Sequence, residues 1–66
     1  MIKILGINYI NEKEAAARYG YSGSWLEKKR YDNLPPNYTK IGGKILYEVD
    51  ETDKWFKNNM KKTDFV

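Results

Sequence analysis

NEKEAAARYGYSGSWLEKKR, residues 11–30, decides the fold. Asn11 has the side chain of a helix N-cap, and Glu14, three residues on, completes a capping box. Ile10 and Ala15 bracket that cap at the spacing of a hydrophobic staple. Gly20 stands where a left-handed residue ends a helix, so the first helix is predicted over 12–19. A second helix follows almost at once. Ser22 is the favoured cap, with Gly23 tolerated in the first turn, although Ser24–Glu27 is itself a capping-box pattern. This helix runs to Tyr31; Asn33 is a left-handed terminator, and Pro35-Pro36 forbids continuation.

Working outward, residues 2–10 are isoleucine-rich and read as an extended segment. Residues 37–49, NYTKIGGKILYEV, read as a β-hairpin turning at Gly42-Gly43. A two-residue loop sets Ile41 opposite Lys44. A three-residue loop sets Ile41 opposite Ile45, and its cleaner apolar face makes it the preferred register. Asp50 is expected to cap a third helix, ETDKWFKNNM, with Glu51 and Asp53 in its first turn. Its stripe is Thr52, Trp55, Phe56, Asn59 and Met60, with Trp55 expected to dock under the helix corner beside Leu26 and Ala16. The chain reads as one α+β domain over residues 1–66, its less ordered ends being 1–8 and the frayed tail 61–66.

Composition limits the chemistry. The chain has 66 residues, no cysteine and no histidine. Disulfides, imidazole general-base catalysis and the usual His or Cys zinc sites are excluded by inventory. The carboxylates at 50, 51 and 53 look like a cap cluster with no nucleophile or phosphate loop beside them, so no enzyme activity and no cofactor or small-molecule substrate is expected. No apolar run reaches the roughly 20 residues that span a bilayer. The start, MIKILGINYI, is too short and polar for a signal peptide, and a cytoplasmic location is expected.

The net charge of +3 matters less than its placement. Residues 28–44 hold five cations (28, 29, 30, 40 and 44) and one anion, whereas residues 48–53 hold four carboxylates and no cation. Such segregation fits one basic face.

Two helices joined by a short turn suggest helix-turn-helix geometry, which needs a small residue at the crossing, a glycine in the turn and an apolar residue facing back. Ala16, Gly20 and Leu26 supply these at the right spacing; an ordinary helical hairpin in a small core is the plainer reading. Candidate DNA-binding residues are Ser22, Gly23, Ser24, Glu27, Lys28, Lys29, Arg30 and Tyr31 on the second helix, with Lys40, Gly43 and Lys44 around the hairpin tip. Ser22 and Ser24 suit a phosphate or simply cap. Lys28, one turn past Ser24, is the candidate for a base edge. Glu27 either accepts from cytosine or closes a capping box. Lys29 and Arg30 cannot both share the Lys28 face. Trp25 is expected in the core. Lys40 and Lys44 should meet backbone or minor groove, or else act as gatekeepers on strand edges.

The ordered combination of NEKEAAARYGYS, SWLEKKR, LPPNYTKIGGKILY and VDETDKWF, roughly residues 9–57, resembles the small excisionase and AlpA-like winged helix-turn-helix proteins, related in fold to the MerR DNA-binding domain. The resemblance implies a mobile-element protein that binds double-stranded DNA, either a recombination directionality factor or a small transcriptional regulator. It further implies helix 2 in the major groove and the wing on the minor groove or backbone, with an integrase or further copies of the chain as partners. Gly23 departs from the family, which often has a basic or polar residue there, and Tyr31-Asp32-Asn33 is an unusual helix exit. Contacts with such partners are expected to draw on Tyr9 or Phe65, and the alternative on the same fold is a protein-binding module that inhibits or recruits a host or element protein, docking through the acidic 48–53 cluster. RNA binding fits less well, since no strand pair carries an aromatic platform.

Overall fold

The structure is a computed structural model and describes residues 1–60. Its elements run β1 (Ile2–Ile4), β2 (Ile7–Asn11), α1 (Glu12–Tyr19), α2 (Gly23–Tyr31), β3 (Thr39–Ile41), β4 (Lys44–Glu48) and α3 (Val49–Asn59). The four strands form one antiparallel sheet in the order β1-β2-β4-β3. Among the described residues no helix is long and apolar enough to cross a membrane.

Both predicted helix starts are present. Asn11 accepts from the Glu14 amide at 2.7 Å, and Glu14 accepts from the Asn11 amide at 3.0 Å, closing the box. Gly20 ends α1 at φ 75°, its amide donating to the Ala16 carbonyl. That leaves only residues 20–22 between the helices. Ser22 caps α2 by accepting from the Trp25 amide at 3.1 Å. The alternative Ser24–Glu27 box therefore does not form, because Ser24 is already inside the helix. Asn33 adopts φ 55° beyond the helix end, as its left-handed tolerance allows.

Ile10, Ala15, Leu26, Tyr47 and Val49 form the core, with Ala16, Tyr19, Trp25 and Ile45 packed against it. Ile10 pairs with Tyr47 across β2 and β4, so this face of the sheet carries the helices. The opposite face carries Lys44, Leu46 and Glu48, since side chains alternate along β4.

Several expectations are corrected. Residues 1–8 are not a loose end: β1 and β2 make a hairpin over Leu5-Gly6, with Ile4 opposite Ile7. Ala16, the small residue expected at the helix crossing, is partly covered and packs against the core, and its neighbour Ala15 is fully buried at 0% exposure. The β3–β4 turn has two residues, with Ile41 opposite Lys44 rather than Ile45. Gly42 and Gly43 both have positive φ, 53° and 82°, which is the type I′ geometry that matches strand twist without a bulge.

The third helix starts earlier than expected, with Glu48 in the N-cap position and no side-chain cap bond. Strand runs straight into helix because Val49 must enter the core. Asp50 and Glu51 then fall in the first turn, where carboxylates suit the positive helix end.

Trp55 is half-buried and lies outside the core, beside Asn37, Thr52 and Asn58. Val49 and Thr52 are the buried residues of α3, and Phe56, partly buried like Trp55, stacks on Tyr19 at 4.2 Å between centroids, with Trp55 edge-on to it at 4.9 Å. Asp53 accepts from Arg18 Nε (2.9 Å), Arg18 Nη2 (2.7 Å) and the Tyr19 hydroxyl (2.6 Å), which ties α3 to α1. Asn59 and Met60 are exposed rather than buried in the stripe. The frayed tail expected at 61–66, Phe65 included, lies outside the described residues.

Candidate nucleic-acid interface

An α-helix turns about 100° per residue, so three consecutive cations cannot point one way. In α2 they separate. Lys28 is exposed. The Lys29 ammonium sits 5.1 Å over the Trp25 ring, one turn back. Arg30 is turned inward: its Nε donates to Glu12 Oε2 at 2.7 Å and its Nη2 to Glu12 Oε1 at 3.2 Å. The Tyr47 hydroxyl donates to the same Glu12 Oε2 at 3.1 Å.

Glu12 raises Arg30 still further above its already high value, so the guanidinium stays charged. Burial first, and then the Glu12 carboxylate, pushes the Tyr47 hydroxyl up, so it remains a donor. One carboxylate at the start of α1 thus joins α2 to β4. Glu12, which accepts the Arg30 fork, and Tyr47, which donates to Glu12, were not singled out in the sequence; a Glu in a first helical turn reads as an ordinary favourable charge.

With Leu26 and Arg30 facing the fold, the outward stripe is Ser24, Glu27, Lys28 and Tyr31, at i, i+3, i+4 and i+7, all exposed. Tyr31 is 73% exposed, with its ring beside the Arg30 guanidinium. Gly23 and Ser24 lie in the first turn, and a Cβ added at Gly23 would meet nothing within 4 Å. Trp25 packs partly against the core as expected, but it also carries Tyr21 stacked on it at 4.1 Å. Tyr21, another residue not singled out in the sequence, is nearly half exposed at the mouth of α2.

The register separates the two hairpin lysines. Lys40 pairs with Ile45 and shares the face that carries the helices, while Lys44 pairs with Ile41 on the opposite face. Both are exposed, as is Gly43 at the turn. Among the acidic residues proposed for protein docking, Asp53 is engaged by Arg18 and Tyr19, and only Asp50 and Glu51 stand fully exposed. Among the described residues no group of His, Cys, Asp or Glu could hold a metal ion.

No protein-family model matches this sequence, and neither a curated protein nor a solved structure matches it.

Proposed function

We propose that this chain is a sequence-specific double-stranded DNA-binding protein with a winged helix-turn-helix arrangement, acting as an excisionase-like directionality factor or a small regulator of a mobile element. In this reading α1 and α2 are the helix pair, α2 enters the major groove, and the β3–β4 hairpin is the wing on the minor groove or backbone. One observation carries it. The stripe Ser24–Glu27–Lys28–Tyr31 is polar, exposed and continuous, on a short helix fastened from behind by Leu26 and the Arg30–Glu12 pair. A helix held so firmly on one side and left fully polar on the other suits insertion into a groove. In this reading Lys28 meets a base edge, Lys29 phosphate at the rim, and Lys40 backbone from the helix-bearing side of the hairpin.

The test is a titration of labelled duplex at several salt concentrations. With Lys28, Lys29, Lys40 and Lys44 as the contributing cations and Arg30 turned inward, log K should fall with log salt at a slope of about −3.6. Lys28→Ala should weaken binding to a selected duplex by about 1–3 kcal/mol and narrow its margin over scrambled DNA. Lys40→Ala should weaken both duplexes alike and lower the slope by about one. Absence of duplex binding at low salt by the folded protein overturns the proposal.

A further inference from the structure

The outward stripe of α2 contains an acid that forms no ion pair among the described residues. Glu27 is exposed and enters none of the ion pairs among the described residues. It is not a cap, since Ser22 is the N-cap and the amide it accepts from is that of Trp25. It lies beyond the first turn, where a carboxylate would favour the helix dipole. It has no ion-pair partner one turn along: residue 23 is glycine, residue 31 is tyrosine, and Arg30, three residues on, gives its hydrogen bonds to Glu12, with Glu27 adding only to the field around it. Yet it sits between Ser24 and Tyr31, directly before Lys28.

Resting on the DNA-binding reading above, we infer that Glu27 is a specificity-determining residue that selects cytosine in the major groove. A carboxylate facing a polyanion is repelled by every phosphate and is tolerated only where a base edge donates to it. The major groove offers two such donors, the N4 amino group of cytosine and the N6 amino group of adenine. Adenine sets its amino group beside the N7 acceptor, which suits an amide that both donates and accepts and repels a carboxylate. Cytosine offers its amino group without an adjacent acceptor on the same base. Lys28 has the opposite chemistry and suits the O6 and N7 acceptors of guanine. Adjacent on one helix, the two residues complement a cytosine with a guanine paired to it or next to it. Glu27 also works by exclusion, since thymine and guanine present it only acceptors there.

The experiment is selection from a randomised duplex library with the wild type, Glu27→Gln and Glu27→Ala, followed by titration against the enriched duplex and its single base-pair variants. Thermal melts check that each variant keeps the fold, as exposed positions do. The wild-type site should contain one required cytosine, and replacing it should weaken binding about 10-fold or more. Glu27→Ala should flatten that preference while binding scrambled DNA as tightly as the wild type or tighter, because a negative charge has left the interface. Glu27→Gln should move the preference toward adenine. An unchanged base preference in both variants overturns the inference and leaves the DNA-binding reading standing. A wild type that enriches no duplex at all overturns both.

Discussion

Arg30 and Glu12 meet fork to fork, Nε to Oε2 at 2.7 Å and Nη2 to Oε1 at 3.2 Å, with both side chains about four-fifths covered. Glu12→Ala would leave the guanidinium without its anion and the Tyr47 hydroxyl without its acceptor. Urea unfolding of Glu12→Ala should show a loss of roughly 1–3 kcal/mol. Arg30→Met should lose less, because a linear apolar chain fills the same space and leaves only the carboxylate to be satisfied by Tyr47. A cycle including the double variant should return a coupling of roughly 0.5–3 kcal/mol. Additive losses would show that the pair is not energetically joined.

Phe56, not Trp55, should be the costlier truncation in α3. Phe56 stacks on Tyr19 and lies 5.8 Å from Tyr21, whereas Trp55 meets Phe56 edge-on and borders an open groove. Phe56→Ala should cost roughly 2–3 kcal/mol, and Trp55→Ala roughly half that. Denaturation midpoints followed by circular dichroism decide the order.

Two glycines should respond in opposite directions to alanine. Gly20 sits at φ 75°, where a Cβ is strained whatever the space around it, so Gly20→Ala should cost roughly 1–2 kcal/mol. Gly23 has an ordinary helical backbone and open surroundings, so Gly23→Ala should gain roughly 0.4–1 kcal/mol by restricting the unfolded chain. Melting temperatures of the two variants measured side by side test this.

Acid should loosen α3. The Arg18 guanidinium, and then the Tyr19 hydroxyl, hold the Asp53 carboxyl below its usual range. A depressed folded value means the contribution is complete above the unfolded value of about 3.9 and is lost as pH falls through the lower, folded one. Stability should therefore decline below about pH 4, and Asp53→Asn should show a shallower decline. The pair is partly solvated, so the difference should not exceed about 1 kcal/mol. Glu14, also held low by the Asn11 amide, keeps part of the slope in the variant. Melts of both proteins across this range give the comparison.

Local signals were legible where one residue type has one geometric consequence. Asn11 with Glu14, Gly20, Ser22 and Asn33 placed the ends of α1 and α2 because caps and left-handed positions are properties of a few neighbouring residues. The first hairpin was missed because Leu5 occupies a left-handed turn position at φ 50°, where Asn or Gly is the usual marker. The β3–β4 register was misjudged by weighing apolar matching above the preference of two adjacent glycines for a two-residue turn. Trp55 was overvalued because helical spacing identifies a stripe without saying which of two neighbouring rings stacks on α1. In the candidate interface, the shared face of Ser24 and Lys28 followed from periodicity, but the place of Glu27 and Tyr31 on that face and the inward turn of Arg30 did not. Its partner is 18 residues away, a distance that only the fold closes.

The junction at Glu12 has a kinetic side. Because one carboxylate fastens α2 to β4 through Arg30 and Tyr47, α2 and the β3–β4 hairpin keep a set separation before any partner arrives. A ligand spanning both meets them as a single rigid body, so little ordering is left to be done on contact. Association should then run at the speed of encounter and electrostatic steering rather than wait for rearrangement. In Glu12→Ala, the same surface residues would have to find their spacing after collision, and the lost rigidity would emerge as a slower on-rate.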